Sequence, residues 1–198
     1  MQASNKIFFK ILLGIISMTS LAIGVMVYLL YSGNHMTEKY TPLIDAAMEI
    51  KLEATTGHLW FEEILNGDNN KSIEDVFRHL DQADWYAHAM LEGGSNAEGV
   101  FQPLSDPQLR RSIHSVSRAI SQFRQIAEHR YQFFTDSKAG SAIDQRFDEI
   151  FGDFLAEADE VETKLQQAIV DKLKNFQRMA LFLIVASFLS AAFLSYKL

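Results

Sequence analysis

Residues 11–32 read ILLGIISMTSLAIGVMVYLLYS, and residues 179–196 read MALFLIVASFLSAAFLSY. Neither stretch contains a charged residue, and each approaches the ~20 residues that a helix needs to cross ~30 Å of hydrocarbon. All 25 Asp and Glu residues of the chain lie between the two stretches. The sequence therefore predicts two transmembrane helices that flank one polar domain.

The charges beside the apolar stretches predict their orientation. Lys6 and Lys10 precede the first stretch, and Lys197 follows the second. Because positive charge is retained on the cytoplasmic side, both ends should be cytoplasmic. Residues 34–178 hold 15 Lys and Arg against 25 Asp and Glu, a net charge of −10. We therefore expect a multi-pass membrane protein whose central domain is exported, which for a bacterial source means the inner membrane and the periplasm.

The first apolar stretch is longer than the usual core of a signal peptide, and no A-x-A-like cleavage site follows it, so we expect it to be retained. The predicted organisation is a cytoplasmic tail at 1–10, a transmembrane helix at 11–32, an extracytoplasmic domain at 33–178, a second transmembrane helix at 179–196 and a cytoplasmic end at 197–198. The chain has no Cys, which excludes disulfides, thiolate metal sites and a cysteine nucleophile. The acidic domain does not favour nucleic acid as a partner.

Helix-breaking residues divide the polar domain into four helices. The first helix should continue from the membrane to about Asn66, and the second should begin after the N-cap Ser72 and stop at Gly93. Asp106 and Pro107 mark the start of the third helix, and the fourth should begin near Ser141. Residues 93–105 are expected to be a loop, and no segment with a period of two residues predicts a sheet.

Each predicted helix carries one apolar stripe, which in the first helix alternates in steps of four and three like a coiled-coil seam. Short connections between such helices predict an antiparallel up-down-up-down four-helix bundle between the two transmembrane helices. The four stripes are Leu43, Ala47, Ile50, Ala54, Gly57, Phe61 and Ile64; Ile73, Val76, Leu80, Ala83, Ala87 and Met90; Leu109, Ile113, Val116, Ile120, Phe123, Ala127, Arg130 and Phe134; and Ile143, Phe147, Ile150, Phe154, Ala158, Val161, Leu165 and Ala168.

This order of span, helical bundle and span resembles the periplasmic sensory domain of bacterial two-pass receptors, such as chemoreceptors, sensor histidine kinases and some diguanylate cyclases. Residues 57–63 (GHLWFEE) and 143–148 (IDQRFD) are similar to segments that recur in those domains. The resemblance implies a membrane receptor for signal transduction or chemotaxis that acts as a parallel homodimer. It also implies that a small ligand binds near the end of the bundle that is distant from the membrane.

The receptors of that family continue into a cytoplasmic output module, whereas this sequence ends two residues after Tyr196. We expect either a receptor cut after its second span or a small protein that works through a partner. The first reading is a sensor that relays ligand binding through the second transmembrane helix. The alternatives are a non-sensing two-pass protein that regulates a partner, and a bundle that binds a metal or haem. The identity of the ligand and the type of output are not predicted.

A homodimer is also expected from the fourth helix. Its seam continues toward the membrane beyond the shorter second helix, so Leu165, Ile169 and Leu173 should lack a full set of partners within the chain. A second subunit would cover them, with two-fold symmetry about the membrane normal.

The candidates for ligand binding in the distal half of the bundle are His58, Phe61, Glu62, Trp85 and Arg130. Arg130 interrupts an apolar stripe, which indicates either an ion pair with Glu62 or an Asp of the fourth helix, or recognition of an anion by the guanidinium. Gly57 costs a helix ~1 kcal/mol relative to Ala, which indicates either close helix contact or a small cavity. Trp85 lies off the seam and either packs at an edge or covers a ligand.

Metal binding is left open by helical pairs of His and carboxylate residues. His58 with Glu62, Asp75 with His79, and Asp84 with His88 each have the i, i+4 spacing that allows two ligands on one helix face. The register places His58 and His79 at opposite edges, so these two should not meet. No motif frames a catalytic group, so we expect neither an enzyme nor a bound cofactor.

Overall fold

The computed structural model describes residues 2–67, 70–133 and 140–197, and the chain divides into two compact units. Unit 1 comprises Met1–Glu38 and Ala168–Leu198, and unit 2 comprises Lys39–Gln167. Four helices that pack against one another account for most of the described residues, which confirms the predicted all-α class.

The four helices are α1 (Gln2–Leu65), α2 (Ile73–Glu92), α3 (Pro107–Gln132) and α4 (Ala142–Lys197). Their bounds within unit 2 match the sequence prediction to within one or two residues. The side chains of residues 2–7, 10, 191 and 194–197, and with them those of Lys6, Lys10 and Lys197, lie outside the described part of the structure.

The starts of α2 and α3 follow from their capping residues. The Ser72 hydroxyl accepts a hydrogen bond from the Asp75 amide, and the Asp75 carboxylate accepts one from the Ser72 amide, both at 3.2 Å. Asp106 accepts from the amides of Gln108 at 2.7 Å and Leu109 at 3.2 Å. These bonds satisfy amide groups that have no partner inside the helix, so both predicted N-caps are confirmed.

The expectation of a plain loop at 93–105 is wrong. Strands β1 (Gly94–Asn96) and β2 (Gly99–Phe101) form an antiparallel hairpin in the connection between α2 and α3. The Asn96 side chain accepts hydrogen bonds from the amides of Glu98 and Gly99, at 2.9 and 3.3 Å, and so closes the turn. Three-residue strands are too short to show a period of two residues, which is why the pattern missed them.

The core of unit 2 is formed by the predicted stripes. Nearly all of their members are buried, and the half-buried ones are Ile64, Ile143, Ile150 and Ala168, of which Ala168 belongs to unit 1. Phe134 lies outside the described residues. Large aromatic side chains dominate one end of this core, where Phe61, Phe123 and Phe147 are fully buried.

Polar contacts show which helices of unit 2 are neighbours. On α1 and α4, Lys51 lies 2.7 Å from Asp159, whereas His58 lies 3.6 Å from Asp148. Residue numbers therefore rise on one helix as they fall on the other. Residue numbers also run in opposite directions on α2 and α3, which are joined by the pairs Asp84–Ser117 and Phe77–Arg124. The same holds for α3 and α4, which are joined by the pairs Ser112–Lys164 and Arg130–Asp144.

Leu165 does not lack partners within the chain, contrary to the expectation drawn from the α4 seam. Its side chain is fully buried in unit 2. In unit 1, Ile169 is half-buried and Leu173 is exposed. The fourth helix therefore offers less uncovered apolar surface for a second subunit than its sequence predicts.

Unit 1 exposes most of its described apolar side chains. Those with the largest exposure include Phe8, Tyr31, Phe182, Phe188 and Leu189, each at 65% or more. Among the described residues one helix is long and apolar enough to cross a membrane, the part of α1 spanning Ile11–Leu65, and its apolar window is not buried. A signal sequence would satisfy the same criteria. The predicted second span at 179–196, several of whose side chains are not described, stays a prediction.

Candidate functional site

The most buried charged side chain in the described chain is Arg130, in the last turn of α3 and 1% exposed. Its guanidinium donates hydrogen bonds to the carboxylates of Glu62 on α1 and Asp144 on α4. The same group lies over the rings of Phe147 and Phe61, with 4.9 and 5.6 Å between the guanidinium carbon and the ring centroids. A buried cation is therefore paired with two carboxylates and stacked on two aromatic faces.

Local backbone structure places both carboxylates. Glu62 lies in the last turn of α1, and Asp144 lies in the first turn of α4. The Asp144 amide donates to the Ser141 hydroxyl at 3.2 Å, and the Gly140 amide donates to the Asp144 carboxylate at 2.6 Å. Asp144 thus fixes the start of α4 while it pairs with Arg130. The ion pair predicted for Arg130 is confirmed for both of the proposed partners.

His58 occupies the neighbouring position, one turn before Glu62 on α1. Its ring stacks on Phe151 of α4 at a centroid distance of 4.0 Å and an interplanar angle of 13°. Its Nε2 atom is buried and makes no hydrogen bond within the described residues, and the Asp148 carboxylate lies 3.6 Å away. Burial is the main cause that lowers the pKa of His58, so the folded chain favours the neutral imidazole at pH 7.

Three of these side chains satisfy the proximity that a metal site requires. One donor atom from each of His58, Glu62 and Asp148 lies within 4.8 Å of the other two. The sequence predicted the pair on α1 as a possible ligand pair but missed Asp148. The signal was present in the segment IDQRFD, whose last residue is Asp148, although the rotation of α4 about its axis was not derivable from the stripe alone.

The other His–carboxylate pairs are separate from this cluster. His79 contacts Glu53 at 2.5 Å and the edge of Trp60, which agrees with the expectation that His58 and His79 do not meet. His88 lies 3.4 Å from Asp84 in an exposed pair on α2.

Trp85 is not placed with the other four candidate residues. Its ring contacts Tyr86 and Phe101, at centroid distances of 5.2 and 5.7 Å, and a Cβ added to Gly94 would lie 3.5 Å from it. Tyr86, the next residue of α2, is fully buried. The two aromatic residues of α2 therefore hold the β-hairpin, and this contact accounts for an off-seam Trp.

Gly57 serves close contact between helices. A Cβ added at this position would lie 3.3 Å from Leu80 Cδ2 and 3.5 Å from both His79 Cβ and the Val76 carbonyl oxygen. The space beside Gly57 is thus filled by α2, which favours the interpretation of close helix contact over that of a ligand cavity.

Searches against protein-family models, curated proteins and solved structures found no match to this chain. The resemblance to two-pass receptors rests on the order of apolar and helical segments and stays a prediction.

Proposed function

We propose that this chain is the sensing part of a membrane receptor that binds a small extracytoplasmic ligand and relays the event through its C-terminal apolar segment. One observation carries the proposal. The Arg130 cluster of unit 2 consists of Arg130 on α3, Glu62 on α1 and Asp144 on α4. Two of its three residues come from α1 and α4, which are also the helices that contribute the residues of unit 1.

The exposure of unit 1 supports a membrane location. Its apolar side chains would be unfavourable in water because hydration of apolar surface is costly, on the order of 25 cal/mol per Å². A patch of that kind on a soluble protein marks a surface that contacts a membrane or a partner. The absence of Asp and Glu from residues 1–37 and 172–198 fits burial in lipid.

The contacts within unit 2 support an up-down-up-down bundle. Consecutive helices run in opposite directions by the order of their contacts, and α4 returns to lie beside α1. Between α1 and the start of α2 the order comes from the pairs Glu53–His79 and Glu63–Lys71. In such a bundle both membrane-linked helices leave from the same end. The Arg130 cluster would then lie at the opposite end, where the resemblance to receptors implies that a ligand binds.

We also propose that the chain forms a homodimer, through α1 rather than through Leu165. Met48, Leu52 and Leu59 lie on one face of α1 at spacings of four and seven residues and are each more than half exposed. That spacing is typical of a helix–helix seam between subunits. Cysteine at Leu52 should form crosslinks between copies in the membrane, whereas cysteine at the buried Leu165 should not.

The proposed sensing function is tested by a ligand screen on the full chain in nanodiscs. A ligand that binds the folded state raises the unfolding temperature, by an amount that grows with its concentration. We expect at least one amino acid, carboxylate, metal or other small solute to do so, and Glu62→Gln to abolish the shift, with Glu149→Gln as an exposed control. A screen in which no solute raises the unfolding temperature would contradict the proposal.

A further inference from the structure

We propose that His58, Glu62 and Asp148 form a binding site for a divalent transition-metal ion of the Zn²⁺ type. The three donors come from two helices, two from α1 and one from α4, and lie within 4.8 Å of one another. The existence of the site does not depend on the receptor proposal, whereas its role as the sensed ligand rests on that proposal.

The unpaired nitrogen of His58 is the first reason. Nε2 is buried, yet no described residue forms a hydrogen bond with it. Buried polar atoms are nearly always paired, so a lone one requires an explanation. The stacked ring of Phe151 holds the imidazole plane, and a gap of 3.6 Å separates Nε2 from the nearer Asp148 oxygen. A metal ion in that gap would satisfy the nitrogen.

The distance across the gap is the second reason. Two ligands bound to Zn²⁺ at about 2.0–2.1 Å, at a tetrahedral angle, lie about 3.3 Å apart. Nε2 of His58 and the nearer Asp148 oxygen are 3.6 Å apart. Asp148 is mostly exposed, so a small rotation of its side chain would reach the metal-binding distance without disturbing the core. Glu62 follows His58 by one helical turn and supplies the third donor.

Charge is the third reason. The carboxylates of Glu62, Asp144 and Asp148 together with the guanidinium of Arg130 carry a net charge of −2. A divalent cation would neutralise this charge. Arg130 holds the Glu62 carboxylate in place through hydrogen bonds, a role that residues outside the ligand shell commonly have at metal sites.

The donor set indicates the class of metal. One imidazole nitrogen with two carboxylate oxygens suits Zn²⁺, Co²⁺ or Ni²⁺, whereas Mg²⁺ and Ca²⁺ prefer oxygen ligands alone. Three protein ligands leave a fourth position of a tetrahedral ion for water. Binding would tie the Glu62 end of α1 to the start of α4, within unit 2.

The test is calorimetric titration of the full chain, stripped of metal and held in nanodiscs, with Zn²⁺ and separately with Mg²⁺. We expect one equivalent of Zn²⁺ to bind and Mg²⁺ to bind far more weakly. Asp148→Asn and His58→Gln should each lower the Zn²⁺ affinity about tenfold or more. Asp148 is exposed and does not contact Arg130 in any described bond, so its variant should fold even if the His58 variant does not.

The matched control is His88→Gln. His88 and Asp84 form an exposed pair with the same helical spacing as His58 and Glu62 but without a third described ligand. The control should bind Zn²⁺ like the unaltered chain. Unchanged affinity in Asp148→Asn, equal loss in His88→Gln, or binding of Mg²⁺ as tight as that of Zn²⁺ would overturn the proposed site.

A second readout separates the site from the sensing role. Distances between spin labels at position 197 in a dimer would be measured with and without Zn²⁺. A zinc-dependent change in distance supports metal sensing. Zinc binding that depends on Asp148 without any change at position 197 upholds the site and removes its sensing role. An absence of zinc binding overturns the site, while the receptor proposal would still be tested by the other solutes.

Discussion

At the residue scale, Arg130 holds three helices together through charge. Its guanidinium is nearly inaccessible to water, and it joins Glu62 of α1 to Asp144 of α4. Loss of one member of a buried ion network leaves the remaining charges without compensation, which is more harmful than loss of an exposed pair.

Arg130→Ala should therefore lower the free energy of unfolding by about 3 kcal/mol, the lower end for a buried pair because Glu62 is only partly buried. Arg146→Ala is the control, since Arg146 forms an exposed pair with Glu149 and its loss should cost about 0.5 kcal/mol or less. Chemical denaturation of both variants measures the difference. Equal stability of the two variants would contradict the structural role of Arg130.

His58 makes stability depend on pH in the metal-free chain. Its pKa is lowered on folding from an ordinary value of 6.5, so the unfolded chain binds more protons between the two values. The stabilising contribution of the neutral ring is complete above about pH 6.5 and is lost as the pH falls through the lowered value. Unfolding temperatures measured in chelator from pH 8 to pH 5 should fall, and His58→Gln should flatten that fall. An identical pH profile in His58→Gln would exclude this residue as the cause.

The paired state of Arg130 could be predicted from sequence, but the position of Asp148 could not. A cation within an apolar stripe has to find an acid, and Glu62 stands at a similar height on its helix. Which face of α4 turns toward His58 depends on the rotation of that helix, which aromatic contacts among His58, Phe147 and Phe151 determine. An apolar stripe specifies such a rotation only coarsely.

At the element scale, caps and breakers located the helices of unit 2, whereas contacts between elements gave the hairpin. Ser72, Gly93 and Asp106 act locally, through bonds to amides within a few residues or through a positive φ of 86° at Gly93. The hairpin instead depends on Phe101, which is buried against Trp85 and Tyr86 across the connection. That long-range contact has no periodic signal in the sequence.

Substitution should have opposite effects on stability at two helical glycines, because only Gly57 lies in close contact with a neighbouring helix. Gly57→Leu should destabilise the chain by about 1–3 kcal/mol, because its added atoms would overlap Leu80 and the Val76 carbonyl. Gly152→Ala should stabilise it by up to about 1 kcal/mol, because Gly152 is exposed on α4 and nothing lies within 4 Å of an added Cβ. Chemical denaturation measures the free energy of unfolding of both variants. An unchanged free energy of unfolding in Gly57→Leu would show that α1 and α2 do not approach closely.

At the scale of the whole molecule, composition alone separates the apolar ends from the acidic middle. The structure adds that the apolar side chains of unit 1 are exposed and that unit 2 has its own core. In the proposed receptor, lipid would cover the exposed apolar side chains of unit 1. The proposed export of unit 2 rests on Lys residues at the ends of the chain, because positive charge acts during membrane insertion rather than through folded contacts.

Membrane topology is therefore the most direct test of the proposed receptor. Alkaline phosphatase, which is active only after export, and a fluorescent protein that matures only in the cytoplasm would each be fused after Leu198 and inserted at Ala97, the exposed turn of the hairpin. We predict phosphatase activity only at Ala97 and fluorescence only at Leu198. Phosphatase activity at Leu198, or fluorescence at Ala97, would contradict an exported sensor held by two membrane spans.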